Sequence, residues 1–328
     1  MASSEGRIRP ASIFLFSGLF LVAVALAGEA LARVYLAFRT VYDVEMTRYS
    51  NEVKIASDAR TVHEHRPLSA ARLMDVDVSI NSDGLRDREY PIESSGAYRM
   101  IFLGDSLTFG WGVRREETFE YLLEERLNQE GRVEILNFGI GNYNTAQQVA
   151  LFARKGLKYA PDKVVVFYFI NDAEPTPQPS RWGLLGHSRL VTLYWSRVNI
   201  VLGRFMEGQS FLRQYRDLYR EDQPGWAAVR ASFRSLQELC ARNGIDLQVV
   251  LLPELHDLKS RPFRNEYAMV EDVLGGERIP SLDLTPSFSR LDEDPLRLWV
   301  ALDDAHPNAT AHRLIADFTE PFISPWSE

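Results

Sequence analysis

From Tyr98 onward, apolar and polar positions alternate in blocks that define successive elements. RMIFLG (99–104) has the pattern of a buried strand, and EETFEYLLEERLNQE (116–130) that of an amphipathic helix ending near Gly131. RVEILNFG (132–139) predicts a second strand, followed by a helix from about Thr145 to Lys158. Pro161-Asp162 breaks the chain before KVVVFYFI (163–170), a third and strongly apolar strand. Trp226, Val229, Phe233, Leu236 and Cys240 share one face of a helix over 226–243. IDLQVVLLP (245–253) then predicts another strand, and a last helix runs from about Ala309 to Phe318. Near-continuous apolar strands alternating with helices indicate a mostly parallel sheet covered on both faces, so the fold class is α/β.

Three stretches depart from this rhythm. Residues 173–224 begin with Pro175, Pro177 and Pro179, then carry Trp182, Tyr194, Trp195, Phe205, Phe211, Tyr215 and Tyr219 among arginines. An insert of about 50 residues is too long for a simple connection. It reads equally as a helical excursion with its own small core or as a functional element: a cap, an aromatic sugar or acyl platform, or a membrane-facing surface. Residues 40–97 are mixed and polar, with a turn at Asn81-Ser82-Asp83-Gly84, and read as a connector packed on the domain surface. At the N-terminus, Ala11–Gly28 is free of charge and follows Arg7, Arg9 and Pro10. As a helix it spans about 27 Å, close to the ~30 Å hydrocarbon core of a bilayer. Glu29 and Arg33 interrupt it before the apolar VYLAF (34–38). The leading arginines favour a cytoplasmic N-terminus with the rest exported. Ala25-Leu26-Ala27 resembles a signal-peptide cleavage site, but the apolar run is long for that, which favours an uncleaved anchor. The expected organisation is an anchor (1–39), a connector (40–97) and one domain (98–328) carrying the insert.

Composition narrows the function classes. A net charge of −8 argues against nucleic acid as a partner. A single cysteine, Cys240, excludes an intramolecular disulfide and any multi-cysteine metal site, and its helical pattern gives it a buried packing role. His63-Glu64-His65 has metal-ligand residue types, but nothing at helical spacing joins it, so it reads as a surface loop.

In an α/β sheet, ligands bind beyond the carboxyl ends of the strands. The first strand ends in Gly104-Asp105-Ser106, the second in Asn137-Phe138-Gly139-Ile140-Gly141-Asn142, and the third in Ile170-Asn171-Asp172. Asp303-Asp304-Ala305-His306-Pro307-Asn308 precedes the last helix. Acyl transfer requires this set of groups. Ser106 is a weak nucleophile until a base such as His306 removes its proton. The imidazole needs a carboxylate on its other nitrogen. Asp303, three residues earlier, reaches it across a single turn, whereas the two-residue spacing of Asp304 aims it elsewhere. An oxyanion needs preorganised donors. Candidates are the N–H of Ser106, an N–H from Gly141 or Asn142, and the side-chain amide of Asn171.

Gly104-Asp105-Ser106-Leu107, Asn171-Asp172 and Asp303-x-x-His306, continuing as His-Pro-Asn-Ala (306–309), resemble the blocks of the SGNH or GDSL hydrolases. The resemblance runs from about Tyr98 to Phe322, most of the insert excepted. It implies a flavodoxin-like three-layer α/β/α sandwich, and hydrolysis or transfer of ester-linked acyl groups with no metal and no cofactor. Ser106 would be nucleophile, His306 base and then acid, Asp303 its orienter and Asn171 an oxyanion donor. The second block departs: the family's oxyanion glycine falls on Asn142, with Gly141 one residue earlier. The function expected is hydrolysis of O-acyl, chiefly acetyl, esters on an extracytoplasmic carbohydrate by a membrane-anchored enzyme. Alternatives are O-acyl transfer beside a membrane acyltransferase partner, lipid or lysophospholipid ester cleavage, and a non-catalytic binding or scaffold module.

Overall fold

The computed structural model describes residues 10–93, 96–128, 132–176, 186–205 and 209–325. Arg7 and Arg9, and Pro177, Pro179 and Trp182 of the insert, lie outside them. Helix α1 (Pro10–Leu36) is apolar and exposed. Over Phe14–Leu36 it has the length and hydropathy to cross a membrane, as an anchor or a signal sequence would.

The polar stretch that follows is built, not irregular. Helix α2 (Tyr42–Glu52) leads into the antiparallel pair β1 (Lys54–Ala56) and β2 (His63–His65), then the pair β3 (Ala70–Leu73) and β4 (Val76–Ser79). Tyr49, Val53, Leu73, Met74, Val78 and Ile80 form a buried cluster with Phe109 and Trp111. The surface-loop reading of His63-Glu64-His65 is therefore corrected: Glu64 and His65 are buried in β2. Their polarity is satisfied by specific partners, Arg154 and Lys155 for Glu64, and Tyr49 for His65. That is how polar side chains become buried without an apolar period.

The main sheet has five parallel strands: β5 (Tyr98–Gly104), β6 (Val133–Gly139), β7 (Lys163–Tyr168), β8 (Asp246–Leu251) and β9 (Ser281–Asp283). Their spatial order is β6-β5-β7-β8-β9. Taken in chain order this is 2-1-3-4-5, the flavodoxin-like doubly wound arrangement, with its topological switch between β5 and β7. Helices α3 (Ser106–Phe109), α4 (Phe119–Leu127) and α5 (Thr145–Leu151) intervene among the first three strands. After α5 the predicted helix continues only as a π turn over Phe152–Gly156 and a 3-10 turn over Leu157–Tyr159. Helices α6 (Arg189–Phe205), α7 (Gln209–Leu218) and α8 (Pro224–Asn243) precede β8, and α9 (Arg264–Gly276) precedes β9. The chain closes with α10 (Thr285–Ser289), the antiparallel pair β10 (Trp299–Ala301) and β11 (Asp304–Pro307), and α11 (Ala309–Ile323).

Side chains alternate across β5, so one strand serves two cores. Met100 and Phe102 pack with Phe119, Leu123, Phe167 and Ile315, while Ile101 and Leu103 pack with Val166, Phe233, Val249 and Val270. Truncating a side chain such as Phe102, fully buried here, to alanine costs about 3–5 kcal/mol. Cys240 is likewise fully buried. In the insert, Glu29 of α1 accepts hydrogen bonds from the Ser188 hydroxyl (2.8 Å) and the backbone N–H groups of Arg189 (3.1 Å) and Leu190 (2.9 Å). A carboxylate at these leading N–H groups caps α6. Just after α7, the Tyr219 hydroxyl bonds Ile170 O at 2.9 Å, anchoring the end of the excursion to the third strand's exit.

Candidate active site

The chain leaves β5 through a bend that its own residues specify. Asp105 Oδ1 accepts the Leu107 N–H at 2.8 Å, capping α3, so Ser106 becomes the first helical residue. Gly110 ends the helix with φ +78°, a left-handed conformation that glycine adopts without steric penalty. Gly139, at the end of neighbouring β6, allows the close approach: a Cβ there would lie 2.3 Å from Phe109 N. A buried cation completes the bend. Arg86 donates to the carbonyls of Phe109 (3.0 Å), Gly110 and Val113 (2.6 Å).

The histidine arrives on the β10–β11 hairpin. His306 Nε2 is 2.8 Å from Ser106 Oγ, and His306 Nδ1 is 2.5 Å from Asp304 Oδ1. Trp111 Nε1 donates to Asp304 Oδ2 at 2.8 Å, so both carboxylate oxygens are engaged. The ionised carboxylate accepts a hydrogen bond from Nδ1–H, which leaves the Nε2 lone pair facing the serine hydroxyl. Burial pushes the Asp304 pKa up, but the bonds from His306 and Trp111 outweigh it and hold the carboxyl below its ordinary range. The rings of Tyr42 and Trp111 flank His306 at centroid distances of 5.7 and 6.2 Å.

This corrects the assignment of Asp303. It lies exposed at the hairpin turn, and its Oδ2 is 3.5 Å from the Tyr42 N–H instead of beside the imidazole. The three-residue spacing presumed a turn at this point. The residues form a strand, where side chains two apart share a face, so Asp304 and His306 point the same way.

Asn171 sits in the 3-10 turn after β7 and donates through Nδ2 to Asp105 Oδ2 at 3.2 Å. Asp105 thereby links the exits of the first and third strands across the sheet's switch point. Burial raises the Asp105 pKa above the ordinary range. Of the two candidates in the second block, Gly141 has its N–H committed to the Tyr49 hydroxyl at 3.0 Å. Asn142 has φ +67°, is exposed, and its N–H has no partner among the described residues. Ile140 N–H to Gly104 O at 3.2 Å holds this turn beside the serine bend.

The sequence reading therefore identified Ser106, His306, Asn171 and the 141–142 turn as neighbours. It sets Asp304 aside in favour of Asp303, and it gives no place to Trp111, Tyr42, Tyr49 and Lys54. The strand period of Asp304-Ala305-His306 was a usable signal for the first of these. Trp111 stands in the Gly-rich stretch after Ser106, and the remaining three come from a segment without periodicity.

The doubly wound parallel sheet thus carries Ser106 within hydrogen-bond reach of His306 at its carboxyl edge. The GDSL-like lipase/acylhydrolase family matches residues 102–314; the chain belongs to that family and is an ester hydrolase. Among solved structures, a catalytic mutant of Axe2, an acetylxylan esterase from Geobacillus stearothermophilus, shares 17% identity, with 72% of this chain and 99% of that one covered and a TM-score of 0.44. TesA shares 15% identity, covering 69% of this chain and 98% of the other, with a TM-score of 0.46. The acetyl xylan esterase AlAXEase shares 16%, covering 69% and 99%, with a TM-score of 0.41. No curated protein matches the sequence.

Proposed function

We propose that the protein hydrolyses O-acetyl esters of an extracytoplasmic carbohydrate through an acyl-serine intermediate, held to the membrane by α1. The observation that carries the chemistry is the chain Ser106 Oγ–His306–Asp304, with links of 2.8 and 2.5 Å. His306 Nε2 takes the hydroxyl proton as Oγ attacks the ester carbonyl. Asp304 fixes the tautomer and stabilises the imidazolium. The oxyanion is received by the N–H of Ser106, the N–H of Asn142 and the Asn171 amide. The imidazolium then protonates the leaving sugar hydroxyl. Water, deprotonated by the same nitrogen, releases acetate from Ser106. The substrate class rests on the resemblance to carbohydrate and lipid esterases and on the exported side expected for the domain. The half-buried ring of Tyr42 beside His306 offers an apolar surface to a sugar face.

The test is acetate release from an O-acetylated polysaccharide and turnover of p-nitrophenyl esters. Ser106→Ala should abolish both while leaving the melting temperature intact; undiminished turnover overturns the mechanism. Acetyl esters should be cleaved faster than long-chain esters, and the reverse order overturns the substrate class.

A further inference from the structure

Lys54 is an anomaly of the 40–97 segment: a buried lysine for which no carboxylate partner is found among the described residues. Desolvation holds its pKa well below the ordinary lysine range. Such a group is unfavourable unless its donors are used. Both of its hydrogen bonds go to one turn: Nζ to Gly141 O at 2.6 Å and to Asn142 Oδ1 at 2.8 Å. The ammonium also lies 4.4 Å from the centroid of the Tyr49 ring.

The same turn is gripped on its other side. His65 Nδ1 lies 3.0 Å from Gly84 O, a carbonyl that only accepts, so Nδ1 carries the proton and Nε2 is the acceptor. Tyr49 therefore donates its hydroxyl to His65 Nε2 (2.5 Å) and accepts the Gly141 N–H (3.0 Å). His63 Nε2 adds a contact of 3.2 Å to Gly141 O. The Gly141 N–H and carbonyl and the Asn142 side-chain oxygen are thus held by α2, β1 and β2, while the Asn142 N–H has no partner among the described residues. Asn142 stands in left-handed backbone at the position where the family resemblance places glycine. Asparagine tolerates this region better than most residues, and better still when its side chain is tied down.

We propose that Lys54 is a positioning residue for the oxyanion turn: by bridging Gly141 O and Asn142 Oδ1 it holds Asn142 left-handed, so that asparagine supplies the N–H that glycine would otherwise supply. The inference rests on the reading of Ser106 as nucleophile and Asn142 N–H as an oxyanion donor. A lysine that only filled space would be replaced by methionine without kinetic effect. A positioning lysine acts on the transition state, so its loss falls on kcat and spares KM.

The experiment uses the full chain in detergent, with p-nitrophenyl acetate as substrate and phenylboronic acid as transition-state mimic. Lys54→Met should lower kcat about 10- to 100-fold, as small misplacements of catalytic donors do, with KM little changed and boronate affinity reduced in parallel. Asn142→Gly combined with Lys54→Met should recover most of the lost kcat, because glycine adopts the turn unaided. Unchanged kcat in Lys54→Met, or no recovery in the double variant, overturns the proposal. Should Lys54→Met fail to fold, Asn142→Ala, which removes both the side chain that Lys54 holds and the tolerance of left-handed backbone, must also lower kcat, or the proposal falls. Ser106→Ala run alongside separates the two claims: an active Ser106→Ala sinks the mechanism itself, whereas an inactive one beside a fully active Lys54→Met sinks only the role of Lys54.

Discussion

The turn that presents Ser106 and the turn that presents Asn142 leave adjacent parallel strands, yet they are held in different ways. The serine turn is mostly self-specified: Asp105 caps it, Gly110 ends it, and Trp111 ties it to Asp304. Gly139 of the next strand gives it room, and Arg86, Asn137 and Asn171 support it from a distance. The Asn142 turn has little local code, and residues from α2, β1 and β2 bind its carbonyl, N–H and side chain. Each turn has a buried cation from the polar segment, but the two differ in kind. The guanidinium of Arg86 forks across three carbonyls, whereas the Lys54 ammonium sits at a single turn. A polar segment can thus be the inner wall of an active site when its charges meet backbone instead of water.

Three measurements would sharpen or break this contrast. The largest effect is expected where the serine turn meets the hairpin. Asp304→Asn should lower kcat on the order of 10³-fold by loosening the imidazole tautomer, while Asp303→Asn stays near wild type. The opposite ranking would restore Asp303 as the histidine's partner. Next, Arg86→Met should destabilise the protein by roughly 3 kcal/mol or more, since three buried carbonyls lose their donor. A melting temperature within a degree or two of wild type would show that the serine turn needs no support beyond its own residues. The smallest effect concerns acid. Burial depresses the pKa of His65 to about 3, so the folded protein keeps it neutral while the unfolded chain protonates it below its ordinary 6.5. The stability it contributes is complete above that value and drains away as pH falls towards about 3, reaching a loss of about 2 kcal/mol near pH 5. Thermal melts of wild type and His65→Gln across pH 7 to 4.5 should show a shallower acid slope in the variant. Equal slopes would mean that His65 is not held neutral at the Asn142 turn.

These differences also explain what the sequence made legible. The doubly wound sheet was readable because each strand is an apolar run and each helix a 3.6-residue stripe, patterns set by burial alone. Ser106, Asn171 and His306 were readable because each sits next to a strand end or helix start that the same patterns locate. The place of Asp304 is obscured for a local reason: Trp299–Ala301 and Asp304–Pro307 are too short to announce themselves as strands, so the spacing alone points to a turn. Tyr49, Lys54 and His65 were illegible for a different reason. Their burial is fixed by hydrogen bonds to residues far along the chain, with 87 positions separating Lys54 from Gly141, and no local period records such a partner.

The hairpin has a further consequence for motion. Because Asp304 and His306 share one face of one short strand, the carboxylate and the imidazole are carried together. A displacement of β11 leaves their mutual contact intact and alters only the gap between Nε2 and the serine oxygen. Trp111, reaching from the serine's own loop to Asp304, joins that strand to the turn that carries Ser106.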